Sequence, residues 1–119
     1  MHYIGLAMSS FLHPRLEDVP LAAALHALAD PMRLAMIARL AGAETMNCAA
    51  TAPECEVPKS TRSNHLKILR AAGLIETAQN GRDYLNRLRR EEFDARFPGL
   101  LDTVLENARV CAASRAAGR

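Results

Sequence analysis

The chain has 119 residues, half of them apolar, with 15 Lys and Arg against 13 Asp and Glu and a formal net charge of +2. That length holds one ordinary domain with a modest core and leaves no room for a second. No run approaches the roughly 18 consecutive apolar residues of a membrane span, and MHYIGLAMSS lacks the basic and long apolar regions of a secretory signal, so the expectation is a cytoplasmic protein with no membrane partner.

Two Tyr, three Phe and no Trp, against abundant Ala and Leu, favour helices over a sandwich or barrel. Residues 1–18 read as a loosely ordered N-terminal arm. In DVPLAAALHALAD, Asp18 is a cap candidate, Pro20 suits a first turn, and Leu21, Leu25 and Leu28 form an apolar stripe that needs burial. A second helix starts at once, with Asp30 as N-cap and Pro31 in first position. Leu34, Ile37, Ala38 and Ala41 recur at helical spacing before Gly42. ETMNCAATAPECEVP suggests a short, imperfect third helix near residues 45–51, then a turn.

The segment VPKSTRSNHLKILRAAGLIETAQNGRDYLNRLRR concentrates charge. Residues 59–90 hold eight basic side chains (Lys59, Arg62, Lys67, Arg70, Arg82, Arg87, Arg89, Arg90) against Glu76 and Asp83, a net +6, whereas the rest of the chain carries −4. Such segregation is expected when a polyanion is met from one side. Ser60 or Thr61 can cap a helix whose Leu66 and Leu69 face inward, so Ser63, Asn64 and Lys67 project from other sides. Gly73 sits where a left-handed residue would stop that helix, and Asn80-Gly81 is the signature of a type I′ hairpin with Arg82 beside its tip. Tyr84 and Leu85 are expected near the core of the returning strand.

Helix, helix, short helix, cationic helix and hairpin is the order of a winged helix-turn-helix: mainly α with a small β-hairpin, residues 19–116 forming one DNA-binding and dimerisation domain. A helix fits the major groove of B-DNA, where hydroxyl, amide and guanidinium groups bond base edges, and a cationic hairpin tip reaches phosphates or the minor groove. The last helix, in FPGLLDTVLENARVCAASRAAG, carries a stripe of Leu101, Val104, Leu105 and Ala108. So small a domain has little core left to cover that stripe, so a homodimer through the first and last helices is expected.

LHALADPMRLAMIARLA followed by KSTRSNHLKILRAAGLIETAQNGRDYLNRLR resembles the arsenic-repressor (ArsR/SmtB) family of dimeric winged-helix regulators, over about residues 21 to 105. The resemblance implies a repressor that binds duplex operator DNA as a homodimer and leaves it when a metal ion, metalloid or thiol-reactive signal is sensed. It places Lys59, Ser60, Thr61, Arg62, Ser63, Asn64, His65 and Lys67 on or beside the recognition helix, and Asn80, Gly81 and Arg82 in the wing. Asn64 stands where many relatives carry a second histidine, which bears on operator sequence rather than on DNA binding itself.

The signal departs from the family's familiar patterns. The last helix lacks the histidines of a zinc-sensing pair, and Cys48 and Cys55 have six residues between them instead of forming Cys-x-Cys. With Cys111 they make three sulfurs, the number that As(III) favours, so a regulatory As(III) or other soft metal at Cys48, Cys55 and Cys111 is one expectation, with no cofactor otherwise required. Oxidation or persulfide chemistry at the same thiols is the alternative, and inert buried cysteines the plainer one. Among the other histidines, His26 reads as a core or interface imidazole, while His2 and His13 fall in the arm. No Gly-x-Ser-x-Gly, His-Glu-x-x-His, Gly-rich phosphate loop or Cys-x-x-Cys is present, which argues against an enzyme. A metal-carrying or protein-binding module on the same fold is the more distant alternative.

Overall fold

Leu16, the first residue of a 3-10 turn at Leu16–Asp18, and Val19, just after it, enter the core only 8% and 2% exposed. The computed structural model describes residues 11–51 and 57–117, with side chains as far as residue 109. Residues 11–18, expected to be loosely ordered, are therefore folded onto the domain.

Helix α1 spans Leu21–Leu28 and α2 spans Pro31–Ala41, bent by 94° at the two-residue break between them. The first cap differs from expectation: Pro20, not Asp18, is the N-cap of α1, and no side chain bonds there. Its buried face is Ala24, Ala27 and Leu28, while Leu21 and Leu25 stay 51% and 45% exposed. Small residues on the inner side let α1 lie close to α2 and to the helix of residues 59–71, and that leaves Leu21 and Leu25 outward while Leu28 stays buried. Asp30 does cap α2, accepting from the Arg33 amide at 3.1 Å, with Pro31 in the first turn. The inner face of α2 is Arg33, Met36, Ile37 and Leu40; Leu34 is half-buried, and Ala38 and Ala41 are exposed. The expected stripe is thus rotated, because a buried arginine takes a place that hydrophobicity alone would not assign.

The expected helix over 45–51 is a strand β1, Met46–Asn47, followed by a single turn α3, Cys48–Thr51. Then come α4 (Lys59–Ala71), strands β2 (Ile75–Asn80) and β3 (Asp83–Leu88), α5 (Arg90–Arg96) and α6 (Leu100–Ala117). The hairpin is part of a three-stranded antiparallel sheet ordered β1-β3-β2, with Met46 opposite Asn86 and Ile75 opposite Leu88.

Helix α4 starts one or two residues before the expected Ser60 or Thr61 cap. Pro58 is its N-cap and no side chain caps it. It ends as expected, with Gly73 at φ +76. The Gly73 amide bonds Arg70 O and the Leu74 amide bonds Leu69 O, the paired closure that a left-handed residue after the last helical turn permits. Leu66 and Leu69 are 2% and 0% exposed, each contributing about 1.5–3 kcal/mol by burial.

The hairpin differs from a type I′ turn. Asn80 ends β2 opposite Asp83, the two-residue loop is Gly81-Arg82, and only Gly81 has positive φ, at +66, which is the type II′ pattern. Tyr84, expected near the core, is 40% exposed, and Asn86 and Leu88 are the buried positions of β3. Phe93 of α5 and Phe97 pack with ring centroids 5.0 Å apart and bury Leu101 at the start of α6 beside them in the core. Val104, Leu105 and Ala108 continue that stripe half-buried. Among the described residues no single helix is long and apolar enough to cross a membrane.

Candidate DNA-binding surface

The exposed side of α4 carries Lys59, Ser60, Thr61, Ser63, Asn64 and Lys67, with Arg62 half-buried at its edge. Its N-cap, Pro58, offers no side-chain acceptor to the amides of the first turn. At the hairpin tip, Asn80, Gly81 and Arg82 are all exposed. Among the described residues none of Lys59, Arg62, Lys67 and Arg82 has an ion pair.

The other four cations of the basic segment are engaged within the protein. Arg87 faces Glu76 across the strand pair and bonds its carboxylate at 2.6 Å, with Glu92 at 3.8 Å. Arg89 is buried, donating to Pro14 O at 2.9 Å and to Glu92 at 3.0 Å. The bond from Arg89 leads the effects that hold Glu92 below the usual carboxylate range. Arg90 pairs with Asp102 at 2.8 Å. Arg70 donates to Thr77 Oγ1 at 3.2 Å, and burial pushes it below its ordinary value. Arg87, counted in the basic segment, is thus paired within the protein, and a +6 tally overstates the outward-facing charge.

His65 is half-buried and turned towards α2. Its Nδ1 accepts from Arg33 Nη1 at 3.1 Å, and its Nε2 lies 3.9 Å from Asp30. Arg33 cannot accept a hydrogen bond, so the direction is fixed. The same guanidinium donates through Nε to Ala27 O at 2.7 Å and through Nη2 to His26 O at 3.1 Å, closing the carbonyl end of α1. Asp30 and Arg33 thereby make one joint between three helices. The physical sense of Ala-Asp-Pro-x-Arg-Leu lies in that joint, which sequence reasoning missed. His26, expected in a core or interface, has an exposed side chain and contributes its carbonyl.

A second feature missed from sequence is a buried polar chain beneath the wing. Thr77 Oγ1, which accepts from Arg70, donates to Asn86 Oδ1 at 2.6 Å, and Asn86 Nδ2 donates to Thr51 Oγ1 at 3.3 Å and to Cys48 Sγ at 3.6 Å. Alternating polar and apolar residues in both strands were the available signal, but periodicity alone cannot tell a buried Asn from an exposed one. Cys55 lies outside the described residues, as does the side chain of Cys111. Among the described residues no three of His, Cys, Asp and Glu converge as metal ligands would.

A cationic helix set on two others, backed by a small sheet with an exposed turn, defines a winged helix-turn-helix. Residues 28–78 match the helix-turn-helix domain family. The HTH-type transcriptional regulator YceK of Bacillus subtilis (strain 168) is 37% identical over 79 residues, 66% of this chain and 79% of that protein. The HTH-type transcriptional repressor SmtB of Mycobacterium tuberculosis is 40% identical over 65 residues, 54% of this chain and 47% of SmtB, so the chain spans about half of that relative. Among solved structures, an ArsR-like transcriptional regulator from Rhodococcus sp. RHA1 superposes with a TM-score of 0.57 at 27% identity, over 82% of this chain and 91% of that one. The transcriptional repressor BigR from Xylella fastidiosa shares the fold, with a TM-score of 0.53 at 24% identity, over 63% and 76% of the two chains. The chain belongs to the ArsR/SmtB family of winged helix-turn-helix transcriptional regulators. Its relatives are regulators and not enzymes, and so is this protein.

Proposed function

We propose that the protein is a repressor that binds a duplex operator as a homodimer, with α4 in the major groove and the β2-β3 turn on the adjacent backbone. The observation that supports this most directly is the split of the eight cations. Among the described residues, Lys59, Lys67 and Arg82 face outward and Arg62 sits half-buried at the edge, none of them in an ion pair, and Ser60, Thr61, Ser63 and Asn64 stand among them as hydrogen-bonding groups. Asn80 and Gly81 serve the wing by shaping the turn. His65 joins the surface indirectly, by holding α4 against Arg33. The test is operator affinity against salt. Each neutralised phosphate contributes a log-log slope of about −0.9, so four cations per half-site predict about −3.6 per protomer, roughly half of what all eight would give. Affinity flat in salt defeats the reading.

The release signal belongs to the same reading. Cys48 Sγ lies at the end of the Asn86-Thr77-Arg70 chain, which supports this thiol as the contact for a soft metal or metalloid, with Cys55 and Cys111 completing a thiolate set. Bound there, the ion would supply a strong pull on Asn86 and thence on the recognition helix. Running the same titration with arsenite, cadmium and a persulfide donor, on wild type and Cys48→Ser, separates the options. Release by arsenite or cadmium that Cys48→Ser abolishes supports the metal reading. Release by the persulfide donor alone supports the redox alternative, and no release by any of them places the signal elsewhere.

A further inference from the structure

Residues Phe11–Pro14 cross from the recognition helix to the wing. The Phe11 ring lies under the Arg70 guanidinium of α4, 4.3 Å from its centroid, and meets Tyr84 of β3 edge to face at 5.3 Å. The backbone amide of Thr77 in β2 donates to His13 Nε2 at 2.9 Å, and Arg89 donates to Pro14 O. Since Arg70 also donates to Thr77 Oγ1, the arm, α4 and the wing close into a ring through Phe11, Arg70, Thr77 and His13.

A backbone amide can only donate, so His13 must present a lone pair on Nε2 and is therefore the neutral imidazole protonated on Nδ1. An imidazolium would set N–H against N–H and open the contact. We infer that this strap fixes the geometry in which the recognition helix and the wing meet DNA, with His13 as its positioning residue, so that acid weakens operator binding. The inference rests on the DNA-binding reading above.

Burial, the largest effect, lowers the pKa of His13 from its ordinary value. Glu76 of β2 and Glu92 of α5 oppose that, while Arg89 and Arg70 of α4 add to it. The sign follows: the closed strap is fully favoured above the ordinary imidazole pKa and is lost as pH falls through the lowered value of the closed state.

The test uses the full chain and a duplex selected by the wild-type protein from a random pool, at constant ionic strength. Wild-type affinity should fall about fivefold between about pH 7.5 and about pH 5.5, the scale of one lost hydrogen bond. His13→Gln offers an amide oxygen to Thr77 at every pH and should lack that fall. His13→Ala and Phe11→Ala should already be weakened at the higher pH. Wild-type affinity in both alanine variants, or a fall that persists undiminished in His13→Gln, overturns the inference. In the absence of DNA, the amide resonance of Thr77 should titrate together with His13 in the wild type and not in His13→Gln, and an amide indifferent to His13 overturns the strap itself. A selection that yields no bound duplex defeats the DNA-binding reading and the positioning role with it, while the amide titration still reports the strap.

Discussion

Arg62 and Asn64 occupy neighbouring places on α4, yet Arg82 at the wing tip has a different opportunity, and their substitutions should differ in kind. A side chain that bonds a base edge discriminates between sequences, whereas one that meets phosphate attracts every sequence alike. Arg62→Ala and Asn64→Ala should reduce the preference for operator over random duplex by about 1–3 kcal/mol, and Arg82→Ala should weaken both by similar amounts. Competition binding against random DNA reads this directly. Equal losses from all three would assign them all to phosphate. At this scale the sequence is informative about chemistry and silent about pairing. Lys67 and Arg87 look alike as letters, and only the register that sets Glu76 opposite Arg87 removes one of them from the outward charge. His65 is the same lesson, since its place on the helix suits DNA but its ring is held by a buried Arg33 that no local pattern announces.

The elements best read in advance were those whose signals are local. Asp30-Pro31 starts α2 and Gly73 stops α4, because a cap acceptor, a fixed φ and a positive φ are properties of one or two residues. Gly73 carries a further demand. A Cβ there would lie 2.8 Å from Leu16 Cδ1 and 3.2 Å from Leu16 Cδ2, on a backbone with φ +76. Gly73→Ala should therefore destabilise the fold by about 1–3 kcal/mol, seen as a lowered thermal midpoint. An unchanged midpoint would mean that the 3-10 turn yields freely. Elements fixed by distant partners were read less well. Strand β1 exists because Met46 and Asn47 find β3, about 40 residues later in the sequence, a pairing that two residues cannot signal. The turn at Gly81 shifted by one residue because the strands chose where the ladder ends.

Among the described residues, Leu21 and Leu25 of α1 stand half-exposed, and Val104 and Leu105 of α6 are only partly buried against the core. The dimer expected from sequence would use those helices. Two copies about a two-fold axis would present two α4 helices to inverted half-sites about one helical turn apart. Sedimentation at micromolar concentration should give a dimer, and Leu21→Glu with Leu25→Glu should shift it to monomer while lowering operator affinity. A wild-type monomer with full operator affinity would end that expectation. Mainly helical class, winged architecture and family were legible because the hydrophobic rhythm and the basic segment each span many residues. The internal neutralisation of half that segment was not, since it depends on contacts between α4, the sheet and α5.

The sheet order β1-β3-β2 leaves β2 at one margin, where its outward amides would be open to any extended chain. His13 stops one of them, at Thr77. The arm is therefore also a guard of solubility: unguarded strand margins recruit one another between molecules. A chain begun after Pro14 should remain folded when dilute and scatter light increasingly with concentration, whereas the full chain should stay clear.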